Sequence, residues 1–303
     1  MWLKQFQVFH YTFDFERELQ PLLTQQALTP CPAHARMSFG WKSFANQEHS
    51  QSIHGYHICL FGKEERILPA TVVQHLLDQK MTALNQERGY PVKRHEKQQL
   101  KQDIEFNLLP KAFCVQKKQI VLFDQKQQRL FIESTSAQQI DMILSLIHKT
   151  LGQNIQITPL AKDIDLMSLW LKWLAQPKSL PHFLTFADRM QWVDGENQRK
   201  QVKLQGYDWE QDSTQEWLEK GLVPQELSFN WRDTLQFTLS PNFVFKRIAP
   251  LPTLQEELEA NKETGNEDEL SDLLILGHTL QRFIDDFIAI TAKSDSSLEL
   301  ATV

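Results

Sequence analysis

Long apolar runs, paired cysteines and a signal-peptide pattern are all missing from this chain of 303 residues, and each absence excludes a class of protein. No stretch reaches the roughly 20 apolar residues that a membrane-spanning helix needs. The three cysteines, Cys31, Cys59 and Cys114, are too few and too widely spaced for a disulfide framework or a recognisable zinc site. The amino terminus lacks a basic head followed by an apolar block. We therefore expect a cytoplasmic protein with no membrane contact and no bound metal.

Glycine is also scarce, and its placement excludes the common nucleotide-binding loops. The ten glycines form neither a GxxxxGK[ST] nor a GxGxxG pattern, which would let backbone amides approach phosphate groups. No GxSxG pattern places a nucleophilic serine on a sharp turn. The sequence thus predicts neither a cofactor nor hydrolase chemistry, and we expect that the protein is not an enzyme.

One group of carboxylates keeps an enzymatic alternative open, because a nuclease gathers several acids around a metal ion. The acids close enough in sequence are Asp194, Glu196, Asp208 and Glu210. Arg199, Lys200 and Lys203 interleave with them, which favours a mixed-charge surface hairpin. A metal-dependent nuclease remains the enzymatic alternative.

Charge is distributed unevenly, although the net charge is −6. The last segment, 251–303, is strongly acidic, whereas residues 91–130 are basic. Further basic clusters occur at Arg199, Lys200 and Lys203 and at Lys246 with Arg247. Concentrated positive charge indicates a polyanionic partner. The alternative is that the lysines only solvate helix surfaces, and that the acidic end engages a basic protein partner as a scaffold.

The hydrophobic pattern predicts an α+β (mixed α/β) fold. Period-two alternation predicts strands at 6–11, 37–44, 56–61, 115–123 and 129–134, and β-rich stretches at 182–202 and 227–248 with a turn at 240–242. Helical spacing predicts helices at 14–25, 69–89, 92–109, 137–151, 165–174, 213–220, 254–262 and 267–291. We divide the chain into sub-regions 1–66, 67–135, 136–250 and 251–303: an α/β part, long helices with a hairpin, a second α/β part, and an acidic helical end.

The helix predicted at 92–109 combines an apolar stripe with a basic row. Leu100, Ile104 and Leu108 follow each other at intervals of four residues. Lys93, Lys97 and Lys101 recur at the same interval, about 6 Å apart along the axis from the 1.5 Å rise per residue. Such a row is able to follow a phosphate backbone. No helix-turn-helix or zinc-finger pattern accompanies it, which predicts binding with little sequence preference.

Several strings resemble those of the RdgC family of recombination-associated proteins. They are LTPC at 28–31 followed by GW at 40–41, KEERILP at 63–69 and LLPKAF at 108–113, and they occur in the family's order and spacing. The resemblance extends over essentially the whole chain. It implies an elongated, multi-lobed protomer, and two such protomers close into a ring whose positive hole accommodates duplex DNA. It further implies a nucleoid-associated homodimer that limits RecA-promoted recombination.

The resemblance also assigns individual residues. It makes Phe113 an interface residue, for which the alternative is a buried core phenylalanine, and it places the gate of the ring near 199–210 with Gln205 and Tyr207. Together with the charge pattern it gives the candidate DNA-binding set Lys93, Arg94, Lys97, Lys101, Lys111, Lys117, Lys118, Arg199, Lys200 and Lys203. Binding of single strands and direct contact with RecA are left open.

Overall fold

The computed structural model describes residues 3–13, 19–152, 154–197, 199–209, 214–263 and 269–299. The chain divides into two compact units. Unit 1 is drawn from Met1–Glu18, Gln51–Ile58 and Ile120–Val303, and unit 2 from Leu19–Ser50 and Cys59–Gln119. The mixed α+β class predicted from the sequence is confirmed. The sub-region boundaries proposed from the sequence stay predictions.

The strands within the described residues are β1 (Phe6–Thr12), β2 (Met37–Lys42), β3 (Ser50–Ile53), β4 (Tyr56–Arg66), β5 (Cys114–Asp124), β6 (Arg129–Ile132), β7 (Gln156–Pro159), β8 (Leu184–Asp194), β9 (Gln201–Gln205), β10 (Leu222–Trp231), β11 (Leu235–Leu239) and β12 (Val244–Pro250). The helices are α1 (Leu19–Gln25), α2 (Ala70–Arg88), α3 (Arg94–Leu108), α4 (Ala137–Leu151), α5 (Leu166–Ala175), α6 (Gln215–Glu219), α7 (Pro252–Glu263) and α8 (Glu269–Glu299). Short 3-10 turns lie at Leu109–Lys111, Leu160–Asp163 and Pro177–Ser179.

The main sheet of unit 1 has the strand order β5-β6-β1-β12-β11-β10-β8-β9, and β7 also pairs with β1. Strand β1 joins early and late parts of the chain, since Phe6 opposes Phe245 of β12 and Phe9 opposes Leu130 of β6. All these pairs are antiparallel. An antiparallel sheet can bury one face and leave the other to water.

Helix α8 covers the apolar face of this sheet with two phenylalanines. The ring of Phe283 lies 4.8 Å from that of Phe237 and 5.0 Å from that of Phe245. Phe287 adds a ring 5.1 Å from Phe283. Each such aromatic pair contributes about 0.5–1.5 kcal/mol beyond the area it buries. Phe237 on β11 and Phe245 on β12 therefore fix the side of the sheet on which α8 packs.

Unit 2 combines paired strands with a helical hairpin. Strand β2 runs antiparallel to β4, with Gly40 opposite Gly62. Helices α2 and α3 share a small core of Val73, Leu77 and Ile104, against which Leu100 and Leu108 also pack. The apolar stripe predicted on α3 is thus confirmed, and its burial directs the polar flank of α3 outward.

Most predicted elements are found with ends shifted by a few residues. The helix predicted at 92–109 begins two residues later, at Arg94, because residue 93 has an extended backbone and forms the N-cap. Of the helix predicted at 14–25, residues 14–18 lie outside the described residues. The β-rich stretch 227–248 contains an unpredicted turn: Thr234 donates to the Trp231 carbonyl, and the intervening Arg232 and Asp233 have φ values of 48° and 50°.

Across the helices of the described ranges, none has the combination of length and apolar character required to span a bilayer.

Candidate nucleic-acid interface

The row of lysines at the start of α3 is exposed. Lys93 caps the helix at its amino end, and Lys97 and Lys101 follow at successive turns. The backbone N–H of Lys93 donates to the Glu96 carboxylate at 3.0 Å, which fixes where the helix begins. All three side chains are exposed, although Ile104, which follows Lys97 by seven residues and so lies on nearly the same side of the helix, is buried.

Two of the three acidic residues of α3, Glu96 and Glu105, are engaged by arginines from other segments, whereas Asp103 is exposed. Glu96 pairs with Arg88 at 3.3 Å, and Glu105 pairs with Arg36. The hydrogen bond from the Lys93 backbone, with help from Arg88, lowers the pKa of Glu96, so this acid stays charged and engaged. Within the described part of the chain, no carboxylate lies within 4 Å of the amino groups of the lysine row. Its positive charge is therefore available to an external anion.

The remaining candidates of unit 2 occupy several positions. Arg94 lies in the first turn of α3, and Lys111 ends the 3-10 turn that follows this helix. Lys117 and Lys118 are neighbours on β5, so their side chains point to opposite faces. Lys117 is near an acid, Glu65, at 3.9 Å. All four are exposed, but Lys118 does not share a face with Lys117.

The other three candidates belong to unit 1, where β8 and β9 form a hairpin. Lys203 opposes Gln191 on β8. Arg199 and Lys200 lie in the turn, and Lys200 pairs with Asp194 at 3.4 Å. The mixed-charge hairpin predicted from the sequence is confirmed. The ten candidates thus form two sets, seven in unit 2 and three in unit 1.

Of the carboxylates considered for a nuclease, Asp194, Glu196 and Asp208 lie in the described part of the chain and are not grouped as a metal site. Asp194 accepts hydrogen bonds from the backbone of Glu196 at 3.0 Å and of Asn197 at 3.1 Å. These bonds, reinforced by Lys200, lower the pKa of Asp194 and make it a turn-stabilising group. Glu210 lies outside the described residues. Among those that are described, no three His, Cys, Asp or Glu side chains are grouped so as to hold a metal ion.

Phe113 is 85% exposed, so the alternative of a buried core phenylalanine is wrong. Its position is well fixed: the Arg66 guanidinium donates to the carbonyls of Leu109 at 2.9 Å and Ala112 at 3.2 Å, just before the aromatic ring. The carbonyl of Phe113 itself accepts from the Ile67 N–H at 2.8 Å. A large apolar ring is thereby held in water on a fixed backbone, as in an interface residue before its partner binds.

The two residues assigned to a gate differ in exposure. Gln205 ends β9 and is exposed. After Gly206, whose φ is 75°, Tyr207 turns inward and is half-buried. Its ring lies 4.9 Å from Trp209 and 6.0 Å from Trp217. Of the pair, only Gln205 is fully presented to solvent in this structure.

Sequence reasoning missed a further cationic group on unit 1. Arg189 on β8 lies near Lys203 and Arg247, and the three line one depression. The run Lys246-Arg247 stood out in the sequence without being assigned to DNA. Arg189 gave no such signal, because it is a single cation within a strand. Its alternation with the buried Met190 was the available clue.

The fold and these surfaces define an α+β protein whose candidate functional features are exposed cationic side chains and one exposed aromatic ring. The profile of the family described as "Putative exonuclease, RdgC" matches residues 1–293. The chain belongs to this family.

Relatives named "Recombination-associated protein RdgC" match over most of their length. The protein of Aeromonas hydrophila subsp. hydrophila is 27% identical over 98% of this chain and 100% of its own. That of Pseudoalteromonas translucida is 29% identical over 84% of this chain and 82% of its own. That of Haemophilus influenzae (strain PittGG) is 28% identical over 96% of this chain and 93% of its own. The resemblance inferred from the short strings is confirmed.

Proposed function

We propose that this protein binds double-stranded DNA without sequence specificity, encircles it as a homodimeric ring, and limits RecA-promoted recombination without catalysing a reaction. The observation that carries the proposal is the exposed lysine row of α3, beside which Glu96 and Glu105 are engaged by Arg88 and Arg36. The names of the relatives, which refer to recombination, agree with it. Such a protein would be found on the nucleoid.

Phosphate contact accounts for the expected binding mode. A lysine that neutralises a phosphate releases condensed counterions, and log K falls with log[salt] by about 0.9 for each neutralised phosphate. Phosphates carry no direct sequence information, so exposed lysines predict similar affinity for unrelated sequences. Lys93, Lys97 and Lys101 would therefore confer a steep dependence on salt and little discrimination.

The exposed ring of Phe113 supports the dimer. Large apolar side chains left in water favour association, and Ile67 and Phe39 are also exposed in the same unit, by 49% and 41%. A closed two-fold dimer uses the same patch on both protomers. Phe113 would then pack in an interface, and the ring would close at a second contact that includes Gln205 and Tyr207.

Fluorescence anisotropy with two unrelated duplexes, over a range of salt concentrations, tests the DNA-binding part. We expect similar affinities for both duplexes and a steep salt slope. The variant K93Q/K97Q/K101Q should lower that slope by about 0.9 for each phosphate that is no longer neutralised. The control variant K172Q/K178Q/K220Q removes three exposed charges from unit 1 and should leave the slope unchanged.

The outcomes separate the alternatives that the sequence left open. Equal slopes for the two triple variants would mean that the α3 row only solvates a helix. Complete absence of binding at low salt would favour a protein-binding scaffold. A parallel series with a single-stranded oligonucleotide shows whether single strands are also bound.

A metal-dependent nuclease is the second candidate, because the family description contains the word exonuclease. Incubation of an end-labelled duplex with the protein and Mg²⁺ or Mn²⁺ tests it. We expect intact duplex. Shortened products that vanish in the variant D194N/D208N would establish cleavage and refute the non-catalytic proposal.

A further inference from the structure

The open face of the unit 1 sheet carries cations that come from distant parts of the chain. Arg189 on β8, Lys203 on β9 and Arg247 on β12 line a depression of about 250 Å³. Arg189 and Arg247 also line a second depression, of about 450 Å³, together with Lys4. Because the two depressions share these arginines, the four cations surround one continuous surface, which we call the sheet-face cluster.

Strand register explains why these side chains share a face. Gln191 opposes Lys203 on one neighbouring strand and Glu226 on the other. Residues two apart along a strand point to the same side, so Arg189 joins Gln191. The other side of the sheet carries the phenylalanines that pack against α8. The cluster therefore lies on the face opposite α8.

The charge of this surface is strongly one-sided. Among the described residues that line the two depressions, Glu226 is the single carboxylate. It accepts hydrogen bonds from Lys246 at 2.7 Å and from Arg247 at 3.0 Å. Arg189 pairs with its chain neighbour, Asp188, at 3.9 Å. Both side chains are exposed, and exposed ion pairs contribute little to stability. An anion approaching this face meets a clear excess of positive charge.

Local backbone structure presents Arg247 to this face. Its φ is 51°, and the pairing of β11 with β12 shifts register next to it. Bulges of this kind redirect a side chain and often lie next to functional sites. The Arg247 guanidinium reaches across to the hydroxyl of Thr238 at 3.3 Å, while half of its side chain stays exposed.

Neutral hydrogen-bond donors lie between the cations. Gln191, Gln205 and Gln236 line the same depressions. Glutamine amides, like lysine and arginine, commonly donate to phosphate oxygens in protein–DNA complexes. From β9 to β12 there are four strand spacings, about 19 Å at about 4.8 Å each. A duplex carries about 11 phosphate charges over that length of its axis.

We propose that the sheet-face cluster, Lys4, Arg189, Lys203 and Arg247, is a second surface that contacts the phosphates of duplex DNA, in addition to the lysine row of α3. The inference rests on the proposed function, since it names further residues for the same ligand. Glu226 acts as a positioning residue that holds Arg247 and competes with phosphate for its guanidinium group.

The variant R189Q/R247Q tests this surface by the salt dependence of duplex binding. We expect the slope to fall by about 0.9, and the affinity at 0.1 M salt by about 8-fold, for each phosphate that the variant leaves unneutralised. The control K172Q/K178Q removes two exposed charges from unit 1 outside the cluster and should change neither. The single variant R189Q is included in case the double variant does not fold. It should fold normally, because it breaks only the exposed ion pair of Arg189 with Asp188.

The variant E226Q gives a test of opposite sign. Loss of its charge should strengthen duplex binding, because Arg247 no longer has a competing carboxylate. Unchanged or weaker binding by a normally folded E226Q protein would overturn the positioning role.

The failure of this inference is distinguishable from failure of the proposed function. If wild-type protein does not bind duplex at low salt, the proposed function fails. If wild type binds, K93Q/K97Q/K101Q lowers the slope, and both R189Q and R189Q/R247Q retain the wild-type slope, only the sheet-face proposal is refuted.

Discussion

Truncation of Phe113 to alanine should weaken assembly while leaving the protomer intact. A phenylalanine side chain offers about 200 Å² for burial. With 85% of it exposed, about 170 Å² remains available to a partner, which at about 25 cal/mol per Å² sets an upper bound of about 4 kcal/mol per ring. If both Phe113 rings of a two-fold dimer are half buried, their combined contribution to dimer stability is also about 4 kcal/mol. The dimer Kd should then rise about 1000-fold, at 1.4 kcal/mol for each factor of ten.

Two measurements on Phe113→Ala separate an interface role from a structural one. Light scattering over a dilution series reports the dimer Kd, and thermal unfolding reports the stability of the protomer. A core phenylalanine would cost about 3–5 kcal/mol of protomer stability, whereas an exposed one should cost less than about 0.5. Tyr90→Ala, which truncates another exposed ring of unit 2, is the matched control. A dimer Kd that stays at the wild-type value would refute the interface role.

The remaining predictions concern stability. The Asp286 carboxylate accepts from the Trp231 indole at 2.8 Å and from Arg232 at 2.8 and 3.0 Å, so Asp286→Ala should cost about 2–4 kcal/mol in urea unfolding; a loss below about 0.5 would contradict this. Burial alone would raise the pKa of Asp286, but these donors outweigh it and lower the pKa. The stabilisation should therefore be complete above the unfolded pKa of about 3.9 and vanish at lower pH, where wild type and Asp286→Asn should converge. Gly40→Ala should also destabilise, since a Cβ there would lie 2.7 Å from the backbone nitrogen of Leu28; unchanged thermal unfolding would show that the backbone relaxes.

Elements bounded by strong helix signals were predictable from the sequence. Helix α2 begins after Pro69 and ends at Gly89, which adopts φ of 75° as a helix-ending glycine does. The turn between β10 and β11 was not predictable, because Arg232 and Asp233 adopt positive φ without glycine or asparagine. Contacts with Asp286 hold Arg232 in place there, and such tertiary support has no local signal in the sequence.

The candidate site was predictable only where it depends on local sequence spacing. The spacing of Lys93, Lys97 and Lys101 predicted a row along one flank of α3, and the structure adds that all three are exposed. The exposure of Phe113 did not follow from its residue type, since phenylalanine is usually buried. Arg189 and Arg247 are brought together only by strand pairing over long sequence separations, which periodicity does not reveal.

The interleaving of the two units has a consequence for how the chain is made. The polypeptide passes between them four times, and β1 finds its partner β12 about 240 positions later. On the ribosome, β1 is able to pair with β6 and β7 earlier, but its pairing with β12 must wait until nearly all of the sequence up to β12 has emerged. Such late closure predicts slow folding, with exposed strand edges that attract chaperones, and a short amino-terminal fragment should not form a native unit on its own.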